Sequence, residues 1–288
     1  MFAAKKRLQQ LGEHIQPSTK SESGDILCTV HEHSPGHNVA HIIFSNPTKL
    51  NVASGRLLKK LIAICSELGK DPALRVVVLS GAPPTSPGKA ASWIGGADIQ
   101  ELSRLASADD ARKYIAPVHE ACVALQNVPV PVIARVNGYA LGAGLELMIS
   151  CDLRIVTKAS RFGMPEAKIG LPSVVEAALF PSYIGIGRTR RLVYLAENIP
   201  ADTAEKWGLV ERIVEDEGEL DRAVEEWVDT IVGMGPQSIR NQKRLMRRWE
   251  HGTLQEGIEA GVEALAESYE DGGKEAKEYM KRFLGKRR

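Results

Sequence analysis

Apolar and polar positions alternate in two ways along the chain, as short apolar runs and as helical patterns. Two runs rich in branched residues, Ile26 to Glu32 and Val39 to Phe44, predict the strands of a hairpin with its turn at Ser34-Pro35-Gly36. The run Arg75 to Ser80 consists mainly of valine and leucine, which indicates a strand buried on both faces. Further strands are predicted at Val130 to Val136 and Cys151 to Thr157.

Helical patterns occupy the segments between these strands and the C-terminal quarter of the chain. In Ser54 to Leu68, leucine and isoleucine recur at the spacing of one helix face. Asp202, with Glu205 after it, predicts an N-cap and its capping-box partner. The alternation of strands and helices predicts an α/β fold. Other predicted helices span Ile99 to Leu105, Ala111 to Leu125, Glu219 to Val232, Pro236 to Trp249, Leu254 to Glu270 and Lys274 to Phe283.

The stretch from Asn137 to Glu166, NGYALGAGLELMISCDLRIVTKASRFGMPE, carries the strongest indication of chemistry. Gly138, Gly142 and Gly144 precede an apolar segment, a pattern that lets the backbone approach a ligand closely before a helix begins. We expect this helix to begin near Ala143. Its free N–H groups and its dipole would then stabilise a carbonyl oxygen that becomes negative during a reaction.

A glutamate lies near each end of this stretch. Glu146 is placed about one turn inside the predicted helix. It lies between Leu145 and Leu147, so its carboxylate is expected to face a water-poor site. Glu166 follows after the predicted strand and a turn at Lys158-Ala159-Ser160. This connection can bring the two carboxyls to opposite sides of one small cavity, so the sequence predicts an acid/base pair beside backbone donors.

Composition and charge exclude several classes of protein. The 288 residues are 43% hydrophobic, enough for one large core, and 37 basic residues balance 36 acidic ones. A net charge of +1 argues against an electrostatic nucleic-acid binder. No apolar run approaches the roughly 18 residues that span a bilayer, so we expect a soluble, cytoplasmic protein without a membrane partner. The cysteines lack CxxC spacing and are expected to be buried thiols: Cys28, Cys65, Cys122 and Cys151.

Residues 1–24 are expected to form an N-terminal extension. The first part of this segment is basic and compatible with an amphipathic helix, which makes a mitochondrial presequence the alternative interpretation. Glu13 and the scarcity of serine and arginine favour an ordinary extension. The polar segment Pro17 to Gly24 is predicted to be a flexible joint.

Histidines cluster on the predicted hairpin, at His31, His33, His37 and His41. His31 and His33 are two residues apart on a strand and can share a face, so a metal site is one interpretation. The acidic residue grouped with them in sequence is Glu32, whose side chain would face the other way. A solvated hairpin without a metal is therefore the favoured interpretation.

Four ordered stretches resemble signatures of the crotonase family, the enoyl-CoA hydratase/isomerase superfamily. NGYALGAGLELMISCDLRI is similar to the NGxAxGGGxELxxxCDxxI signature, and RFGMPEAKIGL to its FGxPExxxGx continuation. SNPTKLNV, from Ser45 to Val52, resembles the family's NRPxKxNAL stretch. WIGGADIQEL, from Trp93 to Leu102, resembles its FxAGADLxEL loop. The resemblance runs from about residue 25 to the end of the chain and is strongest to enoyl-CoA hydratases.

The resemblance implies an α/β architecture built as a spiral of ββα units. Residues 25–215 would form this spiral core. Residues 216–288 would form a C-terminal helical region that covers the active site and joins the subunits. The assembly implied in this way is a homotrimer or a homohexamer.

The resemblance also implies a coenzyme A thioester as the substrate, with neither a metal nor a redox cofactor. The N–H groups of Gly95 and Ala143 would stabilise the thioester oxygen, and the Lys49 to Asn51 backbone would line the adenine pocket. Asp98 is interpreted mainly as the N-cap of the following helix. The residues implied to contact the substrate are Lys49, Leu50, Asn51, Ala97, Asp98, Ile99 and Gly142.

Both glutamates are present, which in this family favours a hydratase that converts a 2-enoyl-CoA into a 3-hydroxyacyl-CoA. Glu146 is expected to activate water and Glu166 to protonate carbon two. The segment Pro172 to Phe180 lacks the family's usual glycine-rich run, so the acyl pocket is expected to be reshaped. Isomerisation, hydrolysis, and hydration coupled to carbon–carbon cleavage stay open as alternatives.

Glu176, within this reshaped segment, has two interpretations. It is either a third carboxylate of the site or a helix N-terminal charge or ion-pair partner, and the second interpretation is favoured.

Two functions outside acyl-CoA chemistry are disfavoured. An RNA- or partner-binding protein is disfavoured by the near-neutral charge. A glycosidase-like carboxylate pair is disfavoured because the sequence gives no sign of sugar-stacking aromatic residues.

Overall fold

The computed structural model describes residues 24–86 and 88–285. The predicted N-terminal extension and its joint lie outside the described residues, except for Gly24. The strands are β1 (Asp25–Ser34), β2 (His37–Ser45), β3 (Leu74–Gly81), β4 (Ser92–Ile94), β5 (Val132–Val136), β6 (Tyr139–Leu141), β7 (Leu153–Thr157), β8 (Arg161–Gly163), β9 (Asn198–Pro200) and β10 (Arg212–Val214).

The α-helices are α1 (Gly55–Leu68), α2 (Ile99–Leu102), α3 (Ala108–Asn127), α4 (Ala143–Ile149), α5 (Phe180–Ile184), α6 (Ile186–Leu195), α7 (Ala201–Trp207), α8 (Glu217–Val232), α9 (Pro236–His251), α10 (Leu254–Glu267) and α11 (Lys274–Gly285). Short 3-10 helices span Pro47–Lys49, Glu166–Ile169 and Val175–Leu179. None of the helices in the described ranges is both long and apolar enough to cross a lipid bilayer.

Successive strands are distributed over two sheets. The six-stranded sheet has the order β1-β2-β3-β5-β7-β10, with β1 antiparallel to β2 and the other neighbours parallel. The four-stranded sheet has the order β4-β6-β8-β9, with β9 antiparallel to β8. The pairs β3–β4, β5–β6 and β7–β8 each place one strand in each sheet before the chain turns into helical segments. This is the α/β spiral of ββα turns that the resemblance implied, and the C-terminal helices follow it.

Strand β3 shows why the six-stranded sheet is buried on both faces. Val77 and Leu79 face the main core, which also contains residues of α1, α3 and α4. Val76 and Val78 face the opposite side and pack with residues of α8. All four side chains are buried. The run of branched apolar residues therefore predicted both the strand and its double burial.

Helix α1 confirms the predicted helix and its start. Ser54 is the N-cap, and its side chain accepts a hydrogen bond from the Leu57 N–H at 3.4 Å. Its buried residues are Leu57, Leu58, Leu61, Ile64, Cys65 and Leu68. The leucine and isoleucine spacing seen in the sequence is therefore the face that enters the main core.

The predicted N-cap at Asp202 is wrong. Helix α7 begins at Ala201 with Pro200 as its N-cap, and Asp202 lies in the first turn. Pro200 is also the last residue of β9, where it pairs with Arg161 of β8. Strand pairing keeps the chain extended up to Pro200 and so determines where the helix starts.

The hairpin histidines have acidic neighbours that the sequence does not reveal. His33 Nε2 lies 2.7 Å from Asp229 Oδ1, and His33 Nδ1 lies 3.7 Å from Glu225 Oε1. Both carboxylates belong to α8, far along the chain. The view that only Glu32 accompanies these histidines is therefore wrong, because α8 packs across the sheet that contains the hairpin. The His33 ring lies between the two carboxylates, with one ring nitrogen facing each.

Candidate functional site

The turn from β6 into α4 builds the floor of the site. Gly142 has φ +50°, and its N–H donates to the Gly163 carbonyl of β8 at 2.9 Å. A Cβ atom on Gly142 would lie 2.4 Å from Glu166 Oε1. Glycine is therefore required here for two reasons, the left-handed backbone and the close approach of a carboxyl. Helix α4 begins at Ala143, as the sequence predicted.

Glu146 extends from α4 into an almost water-free position. Only 3% of its surface is exposed. Its Oε1 accepts a hydrogen bond from the Ala177 N–H at 3.2 Å. Burial, and then the charge of Glu166, raise the pKa of Glu146 to about 8. The surroundings of Glu146 therefore favour its neutral form.

Glu166 opens the 3-10 helix that follows β8 and is half-buried. Its Oε2 accepts a hydrogen bond from Ser173 Oγ at 2.9 Å. Burial raises the pKa of Glu166, while hydrogen bonds, including the one from Ser173, lower it. Helix α4, strands β7 and β8 and their turns thus bring together the two glutamates of the sequence motif.

The reshaped segment Pro172 to Phe180 contacts both glutamates, which sequence reasoning missed. Ser173 donates to Glu166, and Ala177 donates to Glu146. One donor is a backbone N–H, so no residue type in the sequence could have signalled it. The segment therefore contacts both candidate carboxyls, in addition to the acyl-pocket role predicted for it.

Glu176 is buried beside this contact, with 6% of its surface exposed. Its Oε1 lies 2.7 Å from His119 Nδ1 of α3, a contact that is an ion pair when His119 is protonated and that fits the favoured interpretation. The charge of Glu176 also contributes to raising the pKa of Glu146, after the larger effects of burial and Glu166. Glu176 is therefore the hydrogen-bond partner of His119 and, at the same time, a third carboxylate near the site. An acidic residue inside the apolar run VVEAAL was the available signal.

A second irregular segment, Leu50 and Asn51, faces the loop after β4. Both residues have left-handed backbones, with φ +56° and +54°. The Asn51 side chain is buried and donates to the carbonyls of Ala82 and Ser92 at 2.8 and 2.7 Å. Asn51 thereby fixes the loop after β3 and the start of β4 against the predicted adenine-pocket segment.

Gly95 does not offer the free backbone donor that the resemblance implied. Its N–H donates to the Leu50 carbonyl at 3.0 Å. A Cβ atom on Gly95 would lie 2.7 Å from the same oxygen, so the two segments are in close contact. An N–H group already bonded to a carbonyl cannot also stabilise a thioester oxygen without breaking that bond, and the assignment of Gly95 is corrected.

Within the described part of the chain, the backbone N–H of Ala97, two residues later, is not bonded to a carbonyl as the Gly95 N–H is. The Gly96 carbonyl accepts from the Ala53 N–H at 2.7 Å, which fixes the peptide between Gly96 and Ala97. In a trans peptide the N–H points opposite to the carbonyl, so the Ala97 N–H points away from Ala53. Across residues 24–86 and 88–285, neither the Ala97 N–H nor the Ala143 N–H has a hydrogen-bond acceptor.

The remaining predicted substrate residues surround this loop. Lys49 Nζ lies 3.4 Å from Asp98 Oδ2. Asp98 Oδ1 accepts from the Gln100 N–H at 2.8 Å, which confirms Asp98 as the N-cap of α2. Ile99 is 59% exposed and so presents its side chain to solvent beside the loop.

Comparisons with known proteins give one consistent family. The family model described as enoyl-CoA hydratase/isomerase matches residues 35–288. The chain is 30% identical over 251 residues to a short-chain-enoyl-CoA hydratase of Clostridium acetobutylicum, covering 87% of this chain and 92% of the relative. It is 30% identical over 253 residues to a crotonyl-CoA hydratase of Syntrophomonas wolfei, covering 87% and 93%.

Solved structures agree with this result. The crystal structure of an enoyl-CoA hydratase of Mycobacterium smegmatis superposes with a TM-score of 0.81 at 28% identity, covering 91% of this chain and 97% of that one. The similarity therefore spans both sheets and the C-terminal helices and is not confined to the glycine-rich turn.

Proposed function

The chain belongs to the enoyl-CoA hydratase/isomerase family, the crotonase family, and we propose that it adds water to a 2-enoyl-CoA thioester to give a 3-hydroxyacyl-CoA. The observation that carries this proposal is the pair of carboxyls beside the start of α4. Glu146 and Glu166 come from different elements, yet the charge of one raises the pKa of the other. Hydration needs one carboxyl to accept a proton and another to donate one, and a buried and a half-buried carboxyl with different surroundings supply both.

The difference in burial supports an assignment of roles within this pair. Glu146 is the more buried carboxyl, with its pKa raised to about 8 by burial and then by Glu166. Glu166 is less buried and accepts a hydrogen bond from Ser173. Burial favours the neutral form more strongly for Glu146 than for Glu166, so the proposal places the proton on Glu146. Glu166 becomes the base and Glu146 the acid, which is the reverse of the assignment made from the sequence.

The reaction follows from these roles. Glu166 takes a proton from water as the water oxygen bonds to carbon three of the enoyl group. The electron pair of the double bond moves towards the thioester carbonyl, forming an enolate. Carbon two then takes the proton of Glu146. Transfer of a proton from Glu166 back to Glu146 restores the starting state.

Backbone donors stabilise the enolate oxygen in this proposal. The N–H groups of Ala97 and Ala143 are the two donors, and the N-terminus of α4 adds its dipole. Support comes from the fixed orientation of the Ala97 peptide and from the absence of an acceptor for either N–H within the described residues.

The first test is hydratase activity on a panel of 2-enoyl-CoA thioesters, followed by loss of the enoyl absorbance. Glu146→Gln and Glu166→Gln should each lower kcat/KM by roughly 10²- to 10⁴-fold, because each removes a proton-transfer group without changing its shape. The exposed Glu205 of α7 provides the matched control, and Glu205→Gln should retain activity.

A negative result would also be informative. Folded wild-type protein that binds coenzyme A but hydrates none of the thioesters would contradict the proposed hydration. The reshaped segment, with Ser173 on Glu166 and Glu176 near Glu146, would then favour the alternative, another crotonase-type reaction such as isomerisation or hydrolysis of an acyl-CoA.

We also propose that copies of the chain assemble as a homotrimer or homohexamer. Supporting this, α10 carries large apolar side chains at helical spacing that are exposed in the single chain: Leu254, Ile258, Val262 and Leu265. An apolar stripe of this kind is typical of a surface that another subunit covers. Sedimentation equilibrium should give three or six times the chain mass. Ile258→Asp should shift the protein to monomer, and a wild-type monomer would contradict the proposal.

A further inference from the structure

A contact between α3 and the 3-10 helix Val175–Leu179 lies between the protein surface and the carboxyl of Glu146. His119 Nδ1 lies 2.7 Å from Glu176 Oε1. The His119 side chain is 57% exposed, whereas that of Glu176 is 7% exposed. The His119 imidazole therefore contacts the buried Glu176 carboxylate from the side that faces solvent.

The backbone at this contact is unusual. Val175, immediately before Glu176, has φ +42°. A β-branched residue with a left-handed backbone is strained and persists only where surrounding contacts impose it. Glu176 Oε2 is buried and has no hydrogen-bond partner in the described structure. The strained backbone of Val175 and the buried Glu176 oxygen without a hydrogen-bond partner both cost stability. This cost points to a role other than holding the fold together.

The same turn places a hydrogen-bond donor on Glu146. Ala177, next to Glu176, donates its N–H to Glu146 Oε1 at 3.2 Å. The contacts therefore run in sequence from His119 to Glu176, through one peptide to Ala177, and then to Glu146. The titratable groups that face Glu146 are Glu166 after β8, Glu176 on the 3-10 helix and Cys122 on α3.

We propose that His119 and Glu176 are positioning residues for Glu146. Their contact fixes the Val175–Ala177 turn, so that the Ala177 N–H and the Glu176 charge together set the orientation and proton affinity of the catalytic carboxyl. This rests on the proposed function in one respect, namely that Glu146 takes part in the proton transfer. Neither residue is required to touch the substrate.

The kinetic test uses three variants. Glu176→Gln removes the charge while keeping the shape, and His119→Ala removes the partner of a buried carboxylate. Each should lower kcat by roughly 10- to 100-fold, the value of a lost hydrogen bond to a charged group, with KM changed by less than about threefold. His119→Asn places an amide donor near the position of Nδ1 and should recover most of the activity lost in His119→Ala.

The chain offers a matched control. His33 and Asp229 form a second histidine–carboxylate pair at the same distance, 2.7 Å, on the face of the sheet covered by α8. Asp229→Asn should leave kcat and its pH profile unchanged. If Glu176→Gln and Asp229→Asn behave alike, or if His119→Asn recovers nothing, the positioning role is wrong.

A second measurement does not depend on turnover. We would measure the free energy of unfolding against pH for the wild type and for Glu146→Gln, and take the difference between the two. The same difference would then be measured in the Glu176→Gln background, between Glu176→Gln and the double variant. The pH range over which this difference changes should move to lower pH in the Glu176→Gln background, because a negative charge near Glu146 has been removed. An identical pH range in both backgrounds would overturn the proposal. If wild-type protein hydrates no thioester but this shift is observed, the proposed reaction fails while the positioning of Glu146 stands.

Discussion

Glu146 shows how one buried carboxyl acquires a proton that it would lose in water. Its side chain is surrounded by α4, the Ala177 backbone and two other carboxyls. Burial is the largest cause of its raised pKa, the charge of Glu166 is the next, and the Ala177 N–H acts in the opposite direction. The environment as a whole favours the neutral acid, the form that our proposal requires for proton delivery to carbon two.

This raised pKa predicts a pH-dependent stability. The folded protein binds the Glu146 proton more tightly than the unfolded chain, whose value is near 4.5, and the folded pKa is about 8. The resulting stabilisation is fully present below pH 4.5 and is lost as pH rises towards 8. Each pKa unit corresponds to about 1.4 kcal/mol. Wild type should therefore lose several kcal/mol relative to Glu146→Gln across this window, measured by urea unfolding at fixed protein concentration. A difference that does not vary with pH would contradict the raised pKa.

At the scale of elements, the site depends on irregular segments that are held by side-chain contacts. The Leu50–Asn51 turn and the loop from β4 to α2 have little regular secondary structure of their own. The Gly95 N–H joins them by donating to the Leu50 carbonyl. Asn51 anchors the turn: its Nδ2 donates to the carbonyls of Ala82 and Ser92, and its Oδ1 accepts from the Asn46 N–H at 2.8 Å. The Ala97 peptide is thus held directly by the Ala53 N–H on the Gly96 carbonyl and indirectly by Asn51, through the turn that contacts Gly95.

Asn51→Ala should loosen this junction. The substitution leaves buried carbonyls and one N–H without partners, so the free energy of unfolding should fall by roughly 2–4 kcal/mol. KM for the thioester should rise as well, because the Leu50–Asn51 turn, which contacts the loop that carries Ala97, is no longer fixed. Urea unfolding and steady-state kinetics measure the two effects. Asn127→Ala, at an exposed asparagine, serves as the control, and equal effects at both positions would contradict the role of Asn51.

At the scale of the whole molecule, the six-stranded sheet separates two hydrophobic cores, of which one adjoins the site and the other does not. The main core lies between this sheet and the helices that surround the site, including α4. The second core lies under α8 and contains Leu220, which is fully buried. Helix α8 therefore stabilises the back of the sheet without contributing a residue to the carboxyl pair.

Leu220→Ala should separate stability from catalysis. Removing a buried leucine side chain leaves a cavity and should lower the free energy of unfolding by about 2–5 kcal/mol. KM and the pH profile of kcat should stay unchanged, because the cavity lies on the opposite face of the sheet from Glu146. Leu195→Ala, at a position that is 63% exposed, should have a much smaller effect on stability. A shifted pH profile in Leu220→Ala would show that the two cores are coupled.

The sequence by itself determined strands β1, β2, β3, β5 and β7, most helices, and the two glutamates with the glycine turn that precedes Glu146. These features depend on residues close together in the chain, where periodicity, caps and left-handed turns act. Ala143 as the first residue of α4 and Asp98 as an N-cap were predictable for this reason. The start of α7 was not, because pairing of β9 with β8 decided it.

Only the tertiary structure decided which polar groups meet across the fold. His119 and Glu176 are 57 residues apart, and His33 and Asp229 are 196 residues apart, so no local pattern links either pair. The Gly95 N–H is occupied by Leu50, which the loop sequence does not reveal, and Ala97 takes its place in our proposal. The proton affinity of Glu146 likewise depends on burial and on charges from separate elements. The residue types that can carry out chemistry are therefore set locally, whereas their partners and protonation are set by packing.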